Sequence, residues 1–346
     1  MKYFKYLFIL IVFFKTETLL SADRIFSVNN IELAKKGDIT QDELVNKAIK
    51  KGFKDLVERI LLNEDKNKVL GLEFSKIKDL VLYYQITDSK EDFSLKKINF
   101  NIIFDKAKFH DLFYKLSVPY SEIINEEIYL LPIIVDEDKL FVYSKNLFYD
   151  KWNDLFQSDI IEFILPVENI ETLQIINSNK ENLIGLDLNS LFQEYSNKNL
   201  ALIIIDISNE KGYKIYLRTK ILEKKIDKNI KLNRLNLNEA DYIKKVINKT
   251  SEEIINLVKS QNLIDVRTPS FLNVQLQLSK SNNLIELNNR LKKIGSIDNI
   301  FVQELNSEYV LLKIKYLGKL NKIMDQLKNQ NIQLKLIKDQ WRLKII

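Results

Sequence analysis

Few groups in this chain could do chemistry. His110 is the sole imidazole among 346 residues, and cysteine is absent. One imidazole cannot make a two-histidine metal site or an HExxH zinc motif. Without thiols there are no disulfides, thiolate metal sites, Fe–S clusters or cysteine nucleophiles. A serine nucleophile would need His110 or a lysine as its base, and no Gly-x-Ser-x-Gly elbow is present. The 7 glycines, at 37, 52, 71, 185, 212, 295 and 318, are too scattered to let the backbone cradle a pyrophosphate. What is left is the run Asp136, Glu137 and Asp138. Such carboxylates could hold a hard cation through oxygen ligands, or supply an acid–base pair against a glycan. They also suit an ordinary tight turn between strands.

His110 sits one turn from Phe113 and Tyr114 on a predicted helix, where a structural place is expected. Trp152 and Trp341 fall within predicted elements, and core packing is expected of both. No catalytic residue and no cofactor is therefore assigned. Asp136, Glu137 and Asp138 stand as the metal candidates.

The elements that must position these groups are drawn from a composition suited to folding. Hydrophobic residues make up 46% and charged residues 29%, enough apolar surface to offset the entropy of ordering the chain. The length calls for two or three domains. Lysine and arginine exceed aspartate and glutamate by 6. The acidic residues nevertheless interleave with the basic ones, as in Asp42, Glu43, Lys47, Lys50, Lys51, Asp55 and Glu58, which describes a mixed solvated face. No stretch joins several basic residues to exposed aromatics, so nucleic acid is not an expected partner.

The first residues have the layout of a secretory signal. Lys2 and Lys5 open it, an apolar block covers 7–14, and Leu20, Ser21 and Ala22 close it. Cleavage after Ala22 would start the mature chain at Asp23. The block is shorter than the ~20 residues that span a bilayer, so no integral span is expected after cleavage; an uncleaved signal acting as an inner-membrane anchor is the alternative.

The remainder reads as α+β, with two ferredoxin-like βαββαβ units at 23–127 and 266–346 flanking a mixed α/β unit at 128–265. In the first, strand 24–33 precedes helix 41–62, whose Leu44, Val45, Ala48, Ile49, Phe53, Leu56, Val57 and Ile60 form one apolar stripe behind a capping box of Thr40 and Glu43. Strands 80–87 and 95–104, helix 106–116 and strand 128–135 complete it. The middle unit begins at that same strand. It continues through strand 140–143, helix 146–156, strand 160–165, helix 186–195 and the hairpin 200–207 with 213–222, and a long helix 239–260 closes it. The last unit runs strand 272–278, helix 284–294, strands 299–305 and 309–316, helix 320–328, and a strand from 333 on to 345.

A set of short motifs occurs in order: Leu116-Ser117-Val118-Pro119, Leu131-Pro132 leading to Trp152, Asn289-Arg290-Leu291 with 297–305, Tyr316-Leu317-Gly318, and Trp341-Arg342-Leu343. In these the chain resembles an uncharacterised proteobacterial envelope family, the domain of unknown function 2066. The resemblance implies an exported protein without assigned activity, and it transfers no site residues. The expected function is accordingly that of a periplasmic binding or scaffolding protein with envelope proteins as partners. A carboxylate-based hydrolase of a cell-wall polymer is the alternative.

Overall fold

The computed structural model describes residues 24–34, 39–87, 97–123, 125–209, 211–234, 237–279 and 283–346. The predicted export segment, 1–22, lies outside them. The fold is a mixed α+β arrangement with several sheets. Two compact units are present: the described residues up to Glu122 join Leu263–Ile346 in one, and Ile123–Asn262 form the other.

In the first unit β1 (Ser27–Ala34) leads to α1 (Gln41–Ile60). Thr40 Oγ1 accepts from the Glu43 N–H and Glu43 returns its carboxylate to the Thr40 N–H, so the predicted capping box fixes the start of that helix. Its apolar stripe is buried in the unit's first core. Two short helices, α2 (Lys66–Leu70) and α3 (Phe74–Asp79), precede β2 (Val81–Ile86) and β3 (Lys97–Phe104). The three strands form an antiparallel sheet of order β1-β3-β2. Next come α4 (Lys106–Leu116), N-capped by Asp105, and the two-residue β4 (Tyr120–Ser121).

The second unit opens with β5 (Glu126–Asp136). The sequence reading shares this strand between the first βαββαβ unit, as its fourth member, and the start of the middle unit; the structure corrects the first assignment, because β5 lies at the heart of the second unit's sheet. Leu130, Leu131, Ile133 and Ile134 are all buried, so β5 is apolar on both faces and needs cover on both. The remaining elements supply that cover. They are β6 (Lys139–Phe141), α5 (Leu147–Leu155), β7 (Ile161–Ile164), α6 (Ile170–Ser178), α7 (Leu188–Leu191), β8 (Asn199–Asp206), β9 (Gly212–Ile221), β10 (Lys224–Asn233) and α8 (Glu239–Gln261). The order is β10-β9-β8-β5-β6, with β7 beside β5. Strands β7 and β8 run parallel to β5. One face packs on α5 and α8, the other on α6, α7 and the 3₁₀ turns beside them.

Helix α6 and strand β10 are absent from the sequence reading. Strand β10 follows a two-residue turn, Leu222-Glu223, in which both residues have positive φ. Such a turn usually carries Asn-Gly, and without that signal the hairpin is invisible in the sequence.

The chain returns to the first unit through β11 (Leu263–Ile264), which pairs with β4. A five-stranded sheet with two helices follows: β12 (Ser270–Gln277), α9 (Leu284–Leu291), β13 (Ile297–Leu305), β14 (Tyr309–Tyr316), α10 (Leu320–Asn329), β15 (Ile332–Ile337) and β16 (Gln340–Ile345), in strand order β13-β14-β12-β16-β15. The single strand read from 333 to 345 is a hairpin, turned by Lys338 and Asp339, both again at positive φ. Its second strand, β16, lies parallel to β12. A single closing strand after α10 would have run antiparallel to it.

Candidate functional site

Helices α9 and α10 cover one face of the C-terminal sheet, where Val274, Leu276, Leu312, Ile314 and Leu343 are buried. Alternation sends the intervening residues to the other face. Lys313 of β14 stands opposite Phe301 of β13, and Lys315 opposite Phe271 of β12. The Lys313 ammonium lies 4.5 Å from the centre of the Phe271 ring. Arg342 aligns with Gln275, and Lys335 with Arg342, which continues the basic character across the sheet. Lys315 is partly neutralised by Asp298 at 2.6 Å. Two aromatic rings and several cations therefore share one sheet face, although they sit on separate strands more than 70 residues apart in total span. No local stretch carries this pattern, which is why sequence reading missed it.

The edge of the same sheet is β13, nine residues long. Phe301, Val302 and Leu305 are 43%, 52% and 60% exposed. Edge strands expose unpaired backbone and usually carry lysines that block further pairing. Strand β10, the edge of the other unit's sheet, follows that rule with Lys224, Lys225, Lys228 and Lys231. Strand β13 has no lysine; its charged residues are Asp298 and Glu304, and its ladder with β14 shifts register between Ile297 and Asn299 and between Val302 and Glu304. Strand β2 also exposes apolar residues at an edge, Leu82, Tyr83 and Tyr84, but it is shorter and lacks the basic face beside it.

The residues singled out from the sequence go elsewhere. Asp136, Glu137 and Asp138 form the β5–β6 turn, with Asp136 paired to Lys139 and Glu137 at a φ of 50°. The Glu137 N–H donates to Ser208 Oγ at 2.9 Å. Among the described residues no group of three or more aspartate, glutamate or histidine side chains is gathered as a metal ion would require. Trp152 is fully buried against Phe163, and Trp341 is half-buried at the helix-covered core.

His110 belongs to a polar network in the first unit. Tyr120 donates its hydroxyl proton to Glu122 Oε1 at 3.0 Å, so the 2.8 Å contact between His110 Nε2 and Tyr120 Oη requires the imidazole to donate. His110 is thus the neutral Nε2–H tautomer. Burial, reinforced by the Lys106 cation, holds its pKa down at about 4. Burial and the Glu122 charge push the Tyr120 phenol well above its ordinary value. Lys106 approaches Glu122 at 3.5 Å and donates to the Gly295 carbonyl at 2.7 Å, while Lys322 donates to the Glu122 carbonyl at 2.9 Å. The network ties the segment before residue 122 to the segment after 263, and Tyr120 at its centre is 1% exposed. It is a structural junction with no room for a substrate at the phenol.

No family model matches this chain, and no curated protein matches it. Among solved structures, one described only as the crystal structure of an uncharacterized protein aligns with 8% identity and a TM-score of 0.17, covering 40% of this chain and 94% of that one. No helix among the described residues is long and apolar enough to cross a membrane.

Proposed function

We propose that this chain is an exported, periplasmic envelope protein that works by binding or scaffolding, and that its partner docks on the C-terminal sheet. The observation that carries the docking is β13, a nine-residue edge strand with exposed Phe301, Val302 and Leu305 and no lysine to block pairing. A free edge of this kind accepts a further strand through main-chain hydrogen bonds, with alternate side chains setting specificity. The basic face beside it favours a partner with acidic residues next to its pairing strand. Export is supported by the lysine-led apolar block of residues 2–14, and kinship with the domain of unknown function 2066 by the ordered motifs from Leu116 to Leu343. The last segment is proposed as a variant of the ferredoxin-like unit in which a hairpin replaces the closing strand, and the first as a shortened form of it.

A photo-activatable residue placed at Phe301 tests the docking in living cells. The expected outcome is one discrete cross-linked adduct that is absent when the probe sits at Asp227 on the lysine-guarded edge. Equal or absent adducts at both positions would remove the docking claim. A reporter active only outside the cytoplasm, fused after Asn30, tests export separately, and an inactive fusion would end it.

A further inference from the structure

We propose that the face of the C-terminal sheet opposite α9 and α10 binds single-stranded nucleic acid. The interleaving of acidic and basic residues that argues against such a partner elsewhere in the chain breaks down here. Strands β12, β14, β15 and β16 contain no aspartate or glutamate, while the open face they share carries Lys313, Lys315, Lys335, Arg342 and Lys344. The carboxylates of the sheet are confined to β13 and are engaged: Asp298 pairs with Lys315 at 2.6 Å, and Glu304 accepts from the Tyr309 hydroxyl at 2.7 Å. The face therefore presents a surplus of cations, the complement of a phosphate backbone.

Stacking surface accompanies the charge. Phe271 and Phe301 are 50% and 43% exposed, on the two strands that flank β14. Phe301 stands opposite Lys313 and Phe271 opposite Lys315, so their backbone positions are ~10 Å apart across the sheet and one same-face step, ~7 Å, along it. That separation leaves each ring open to a base of its own, with the Lys313 ammonium 4.5 Å from the centre of the Phe271 ring. Asn273 and Gln275 continue the same face along β12 and offer amide donors and acceptors to base edges. Arg342 lies beside Gln275 and Lys335 beside Arg342, a path of cations for the phosphates. In a duplex the bases are already stacked on one another, so rings on a broad sheet select the single strand. The strand addition proposed at β13 uses main-chain groups of the edge; binding on the face uses side chains and needs neither that pairing nor export. An acidic protein strand would engage the cations without needing the two rings, and ring variants separate the two occupants.

Fluorescence anisotropy of a labelled oligothymidylate of about 12 nucleotides, titrated with the purified full chain at about 50 mM salt, tests this. Saturable binding is expected, at least about tenfold tighter than to a duplex of the same length. Log affinity should fall against log salt with a slope of about −2 to −3, the value for three or four neutralised phosphates. Phe271→Leu and Phe301→Leu together keep apolar side chains and remove both rings. Affinity should then drop at least about tenfold, with the salt slope and the thermal transition unchanged. Lys313→Gln with Arg342→Gln should instead make the slope shallower by about 1.4. No saturable change in anisotropy would overturn the proposal. So would a duplex bound as tightly, ring variants that bind like the parent, or polyglutamate of matched charge displacing the oligonucleotide, the last pointing to an acidic protein as the occupant of the face.

Discussion

Protonating His110 in the folded protein would put a cation in a buried site already near the Lys106 ammonium, which is why its pKa falls to about 4 from an ordinary 6.5. The unfolded chain takes up that proton as pH drops through 6.5, whereas the folded chain refuses it until about pH 4. Stability from this residue is therefore intact above pH 6.5 and declines between there and about 4, by an amount on the order of 3 kcal/mol. Urea denaturation at pH 7.5 and 4.5 should show a smaller acid loss for His110→Phe than for the parent; equal losses would contradict the burial described here. Asn146 is a second residue whose side chain acts at several points. It is fully buried, donates to the carbonyls of Pro132, Phe141 and Val142 at 2.8–3.0 Å, and accepts from the N–H groups of Phe148 and Tyr149 at 3.1 Å. Asn146→Ala orphans both sets, and a loss of about 2–4 kcal/mol in chemical denaturation is expected. The Asp136, Glu137 and Asp138 turn makes a contrasting prediction: calorimetry with calcium should give no heat above dilution, and saturable binding there would reopen the metal reading.

Element by element, tight approach and turn conformation matter more than the turn letters suggest. Gly212 closes the loop before β9, but its φ is not positive, and its reason is contact across the ladder. A Cβ there would collide with the Leu232 carbonyl oxygen and come within 2.9 Å of Asn233 Cα, both backbone of β10. Gly212→Ala should consequently cost about 2 kcal/mol or more and loosen the β9–β10 pair, visible as faster amide exchange in β10. The Lys338-Asp339 turn has the opposite sign. Both residues occupy the left-handed region, at φ of 50° and 61°, which disfavours side chains other than Gly and Asn. Asn-Gly at these positions should raise stability by about 1 kcal/mol, and a lower thermal transition would mean the turn is not of the two-residue type I′ form.

For the whole molecule, the long stretch Ile123–Asn262 is an insertion in the chain of the first unit. Its two ends meet, because Ser121 pairs with Leu263 and Tyr120 with Ile264 in the β4–β11 ladder. Joining Glu122 to Leu263 through a short glycine-serine loop should leave the first unit folded with a cooperative transition, checked by amide dispersion in NMR spectra. An unfolded product would show that this unit depends on the insertion. Much of this architecture was readable from the chain alone. Period-two and period-3.6 apolar patterns located α1, α4, α8, β3, β8 and β14 within a few residues, and the capping box at Thr40 marked a helix start that the structure keeps. The absence of cysteine and of a second histidine also settled which thiol and imidazole chemistries the chain lacks. Those are properties of residue type or of neighbours within a turn or two, so a sequence states them directly. Which sheet β5 joins, which strands end as edges and how Lys313 comes to lie between Phe271 and Phe301 depend on pairing and packing between segments far apart in the chain. Only the tertiary structure decides these, because the free energy that selects one pairing over another comes from burying both faces of a strand at once, and no local window contains both covers.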